Sequence, residues 1–198
     1  MRIWRVLLVV VCVFVLAVAA AGCGGGGGGG GGSSKSSGLK PEAWATSVCT
    51  ALGDWVRGLQ TSSAKLQTDL RGSKSLPEVK AKFVAFLQDA TDRAKVMVAA
   101  VRSTGAPDVT DGAALQRDFE AAVARFQTSF ERATSKAKGL PTNNPQVFTT
   151  GVQSLGQEVQ TSLSATRDVF TKLGDKYKNS NMDTTTKSIP ACERIGAS

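Results

Sequence analysis

The sequence predicts an all-α fold, an antiparallel up-down-up-down four-helix bundle. Three observations carry this reading. Between Trp44 and Tyr177, apolar residues recur at steps of three and four through four segments, the spacing of a single helical face. Cap and stop residues bracket those segments, as helix ends require. No stretch of useful length alternates apolar and polar with period two, the mark of a half-buried strand.

In the first segment Trp44, Val48, Leu52, Trp55 and Leu59 step by 4, 4, 3 and 4, and Leu66 and Leu70 continue the face, with Ser62 or Ser63 filling the missing turn. Pro41 suits the first helical position and Gly72 the stop. The second opens at Ser75-Leu76-Pro77-Glu78, a capping-box pattern in which the Ser oxygen accepts an orphan N–H and the Glu reaches back. Val79, Phe83, Phe86, Ala90, Ala94, Met97 and Val101 form its stripe, and Gly105 and Pro107 end it.

The third segment follows Asp111, with Leu115, Phe119, Ala122, Phe126, Phe130, Ala133 and Ala137 on its face. Lys136 and Lys138 fall in its last turn, where the helix dipole favours cations. The fourth starts near Asn144-Pro145 and runs through Phe148, Val152, Leu155, Val159, Leu163, Thr166, Phe170, Leu173 and Tyr177. Gly151, Gly156 and Gly174 each weaken it modestly. Asn179-Ser180-Asn181 ends it, and a polar tail runs on to Ser198. The connections are short, which favours antiparallel neighbours.

The residues ahead of Pro41 read differently. Arg2 and Arg5 precede an uncharged run from Val6 to Ala21. That run is shorter than the roughly 20 apolar residues that span a bilayer, and it ends in small residues, as an export signal does. Ala20-Ala21-Gly22-Cys23 resembles a bacterial lipobox, with Ala20 where that motif most often has Leu. The resemblance implies cleavage before Cys23 and acylation of its thiol. Nine glycines, Gly24–Gly32, and a Ser-rich stretch follow. Gly loses the most backbone entropy on ordering, so this is a tether; roughly 17 residues give an r.m.s. reach on the order of 23 Å. A phosphate-cradling loop is disfavoured, because no Lys-Ser or Lys-Thr pair opens a helix straight after the glycines. The expected organisation is a signal peptide over 1–22, the lipidated Cys and tether over 23–40, and the helical domain over 41–198.

Of the four cysteines, Cys12 leaves with the signal and Cys23 takes the lipid. Cys49 and Cys192 remain, and export delivers them to a compartment where disulfides persist. They allow one intramolecular bond, stapling the tail to the bundle. A pair of free buried thiols is the alternative. Two Cys without His leave a zinc ion short of ligands.

The run from Trp44 through Val48-Cys49 to Trp55, with Cys192 late in the chain, resembles the opening of small secreted helical lipoproteins of actinobacteria. The likeness covers the signal, the first helix and the tail. It implies a lipid-anchored, disulfide-closed bundle on the outer face of the cytoplasmic membrane. It implies no activity, since such proteins are largely uncharacterised.

The chemistry is bounded by what is missing. With no His, Ser-His, Cys-His and His-metal chemistry have no carrier on this chain, nor does the Glu-x-x-His di-iron signature of some bundles. Asp89 precedes Arg93 by four residues, the spacing of a solvated helix pair. Trp44 and Trp55 offer a stacking platform on paper, but both sit on the apolar stripe, where core packing is the simpler role. No catalytic residue, metal ligand or cofactor is expected, and ligand-binding residues are not identifiable. Without Arg2 and Arg5, 22 Lys and Arg face 16 Asp and Glu. That excess suits anionic headgroups or acidic wall polymers, although no basic run exceeds two residues. The expected role is a membrane-tethered, non-enzymatic binding or scaffold module. Its expected partners are the membrane, through the lipid, and an envelope protein or anionic wall polymer, not nucleic acid. The alternative is a carrier holding an apolar ligand such as a lipid between its helices. Buried alanines in the stripes argue for close helix approach and against a roomy cavity.

Overall fold

A computed structural model of the chain describes residues 38–180 and 182–196. Four long helices pack against one another in antiparallel order: α1 (Pro41–Arg71), α2 (Leu76–Thr104), α3 (Gly112–Lys138) and α4 (Pro145–Lys176). The expected bundle is the one observed. A 3-10 turn (Lys178–Ser180), α5 (Met182–Lys187) and α6 (Pro190–Gly196) follow. Among the described residues there is no strand. A single isolated bridge joins Leu39 to Pro107.

The helix ends answer the cap residues. Ser75 accepts the Glu78 N–H, but the Glu78 carboxylate reaches one residue further back than a closed capping box, to the Lys74 N–H at 2.8 Å. Asn144 Oδ1 accepts the N–H groups of Gln146 and Val147 at 3.0 and 3.2 Å, covering two orphan donors of α4. Asp111 opens α3 in the left-handed region, φ 58°, which Asp tolerates better than most residues. Gly112 follows because a Cβ there would lie 2.0 Å from the Pro107 carbonyl oxygen.

The larger core cluster draws only on the four long helices. Ala90, Ala94 and Ala137 are fully enclosed, which lets α2 and α3 approach closely. Between these helices Thr91 Oγ1 and Thr134 Oγ1 lie 2.9 Å apart, each also 2.8 Å from its own i−4 carbonyl, Leu87 O and Phe130 O. Two hydroxyl protons serve three contacts, so one Thr donates across while the other donates along its helix. Within the core α1 meets α3 through aromatic edges. Trp55 stands over Phe126 and Phe130 with centroids 4.6 and 5.8 Å away, and Trp44 over Phe119 at 5.7 Å. Both tryptophans are buried, so they are core residues rather than a platform.

Gly151 has a packing role that helix propensity hides. The Leu140 side chain, from the α3–α4 turn, occupies the space where its Cβ would be, 2.4 Å from that position.

The polar tail folds back on the bundle and is itself helical. It forms two short helices of 6 and 7 residues that pack along the N-terminal half of α1. Met182, Ile189 and Ala191 join Trp44, Ala45, Val48, Leu115 and Tyr177 in a second apolar cluster. The Met-Asp-Thr-Thr-Thr-Lys segment is too short to show a helical period, and its threonines are poor helix formers. Its order comes from tertiary contact.

Candidate functional site

Of the three cysteines singled out by sequence, the structure brings two together. Cys49 on α1 and Cys192 on α6 form a disulfide, with Cα atoms 5.0 Å apart across a sequence separation of 143. Cys23, the expected lipid site, lies outside the described residues, as do the expected signal segment and the expected tether up to residue 37. Among the described residues no helix is long and apolar enough to cross a membrane, and no three His, Cys, Asp or Glu residues converge as metal ligands.

The disulfide sits at the pole where the described chain begins. There Leu39 is tied to the α2–α3 connection, its N–H donating to Ala106 O at 2.9 Å and its carbonyl accepting from Asp108 N at 2.7 Å. Gln116, buried on α3, is the polar centre of this pole. Its Oε1 accepts the Trp44 indole N–H at 2.6 Å, and its Nε2 donates to Val101 O and Glu120 Oε1, both at 2.8 Å. Val101 is among the last four residues of α2, whose carbonyls have no partner within the helix. One amide thus satisfies a buried indole and a helix end, and links three helices. Sequence reasoning passed over Gln116. The available signal was Trp44 itself, since a buried indole N–H usually finds an acceptor.

A second polar contact fastens α4 to α3. Asp118 accepts from Lys176 Nζ at 2.7 Å and from the Tyr177 hydroxyl at 2.8 Å. The hydrogen bond from Lys176, then that from Tyr177, holds the Asp118 carboxyl below its ordinary value of 3.8. Burial, with Asp118 behind it, raises the Tyr177 phenol, and the bond to Asp118 raises Lys176. A depressed carboxyl contributes stability that is present above its unfolded value and lost as pH falls through its folded one. Asp118→Asn should therefore melt below the parent at neutral pH. The gap should close as the pH drops below 3.8. A gap of constant size down to strong acid would count against this tie.

Along α4 the cover is uneven. Phe148, Val152, Leu155 and Val159 are buried, whereas Leu163, Phe170 and Leu173 are half-buried. Phe170 rests against Phe119, centroids 5.1 Å apart. A half-covered apolar strip results on the C-terminal half of α4, at the disulfide pole.

Asp89 is also held below its ordinary value. Burial raises it, but the bonds from Arg93 Nε at 2.7 Å and Ser62 Oγ at 2.5 Å outweigh this and lower it. These groups tie α1 to α2 on a solvated face.

Compared with protein-family models, with curated proteins and with solved structures, the chain finds no match.

Proposed function

We propose that the protein is an envelope lipoprotein whose bundle is a non-enzymatic binding or scaffold module. In this reading Cys23 carries the lipid, the Gly/Ser stretch is the tether, and the domain stands on the extracytoplasmic face of the cell membrane. The observation that carries it is the Cys49–Cys192 disulfide, a bond that persists in oxidising compartments and is rare in reducing ones. The small fully enclosed residues of the core support recognition on the outer faces rather than inside.

Two experiments test this reading. Cys23→Ala should abolish metabolic labelling with a fatty-acid analogue and release the protein from the membrane fraction or leave it as precursor. Normal labelling and processing of that variant would remove the anchor from the proposal. Crosslinking in intact cells should yield a defined partner on the helix faces, and a chain that crosslinks to nothing is no binding module.

One observation favours a second reading, a carrier of an apolar ligand. The half-covered strip of Leu163, Phe170 and Leu173 is a place where an acyl chain would gain burial. Native mass spectra of delipidated protein soaked with mixed lipids should show retained lipid if this reading holds, and bare protein if it does not.

A further inference from the structure

The fold collects charge that the sequence disperses. The third of the bundle around the α1–α2 and α3–α4 turns comprises residues 61–86 and 130–155. It carries eight Lys and Arg against three Asp and Glu. Over the other described residues the two kinds are equal, 13 of each. Along α1, at 1.5 Å per residue, Arg71 of this pole lies about 33 Å from Cys49 of the disulfide. Two helix N-termini and two C-termini meet here, so their dipoles offset one another and the side chains set the field.

The acids of the pole are engaged. Asp69 pairs with Lys65 at 2.5 Å, Glu78 takes the Lys74 N–H, and Glu131 takes Gln127 Nε2 at 2.9 Å. Just outside the pole, Glu158 pairs with Lys136 at 2.6 Å. The other lysines with bonded ammonium groups meet neutral oxygens. Lys80 Nζ donates to Leu140 O at 2.7 Å, tying α2 to the α3–α4 turn. Lys82 Nζ donates to Asp69 O at 2.7 Å and Ser73 Oγ at 3.0 Å, and Lys138 Nζ reaches Gln88 Oε1 at 3.4 Å. A carbonyl fixes an ammonium without cancelling its charge. Arg71, Lys74 and Lys138 are exposed around them.

We infer that this pole is a docking surface for a linear, phosphate-bearing polyanion. Six of the eight bases are lysines, compact point charges whose donors rotate, and such groups bind phosphate oxygens met from varied directions along a flexible chain. A membrane surface fits less well. Leu76 and Leu140 turn inward against the core and Phe148 is fully buried, leaving Val147 as the exposed large apolar side chain at this end. No aromatic ring is offered for insertion among headgroups. The chain also enters at the opposite pole, through the Leu39 contacts. The inference rests on the binding-module reading above and does not need the lipid anchor.

The test uses the intact protein in detergent, with long-chain inorganic polyphosphate as probe and affinity measured over a series of salt concentrations. Affinity should fall steeply as salt rises, because bound cations release counterions from the polymer. Joint replacement Arg71→Gln, Lys74→Gln and Lys138→Gln should weaken binding at least about tenfold and flatten the log–log salt slope by about 2. Joint replacement Lys40→Gln, Arg102→Gln and Lys172→Gln removes the same charge near the other pole and should change affinity by less than about twofold. Circular dichroism on both variants checks that the helices persist, and Lys74→Gln alone, a side chain exposed to solvent, provides a milder variant. Equal losses in the two triple variants, no binding at low salt, or binding to phosphatidylglycerol vesicles in place of polyphosphate would each overturn the assignment. Such a failure beside a defined crosslinked protein partner in cells removes the pole alone. A failure of both removes the module reading.

Discussion

Phe126→Ala should destabilise the bundle by about 3–5 kcal/mol, the cost of removing a buried aromatic and leaving part of its space empty. The ring lies at the centre of the aromatic group between α1 and α3, 4.6 Å from Trp55 and 5.1 Å from Phe130, centroid to centroid. Neither neighbour is free to collapse into the gap, since Trp55 also packs on Phe130, which is 1% exposed. In a domain of this size each kcal/mol moves the melting temperature by a few degrees, so a fall on the order of 10 °C is expected. Arg125, one position away, is exposed, and Arg125→Ala should cost under about 0.5 kcal/mol. Urea unfolding of both variants measures the contrast. Similar costs at the two positions would mean that the face of α3 has been assigned wrongly.

Cys192→Ser should have an effect of comparable size by a different route. The bond joins residues 143 apart, and closing so long a loop removes unfolded-chain entropy worth up to about 5 kcal/mol. The larger core cluster contains no residue of the tail. The far-ultraviolet helical signal should therefore survive almost intact while the melting temperature falls. The loss in folded contacts should be confined to the second cluster, where Met182, Ile189 and Ala191 pack on α1. Non-reduced tryptic digests should contain a Cys49 peptide joined to a Cys192 peptide. Addition of reductant to the parent should reproduce the lowered melting temperature, and a parent indifferent to reductant would contradict the structural role.

Much of the bundle was legible because the helices are long and punctuated. Pro41, Ser75, Asn144 and the glycines at 72, 105 and 139 stand at the observed ends. The apolar period then set which side of each helix is buried. Where one helix depends on another, the sequence was silent. Gly151 reads as a flaw in α4 until Leu140 is seen to fill its place. Gln116 reads as one more surface amide until Trp44 and the end of α2 are brought to it. The basic pole escaped notice because its lysines come from distant stretches of chain, none forming a run. The tail's helices are too short to announce themselves.

The placement of the disulfide also governs how the molecule responds to a protease. The three turns between the long helices, over 72–75, 105–111 and 139–144, lie between Cys49 and Cys192. One cut in any of them severs the backbone yet leaves both fragments within a single covalent molecule, and the core contacts hold them in register. Such a nicked protein would migrate as one species until reduced. A single cut sheds material only ahead of Cys49 or beyond Cys192. Clipping at a turn and loss of material are thus separate events, and loss by one cut requires cleavage outside the span that the bond closes.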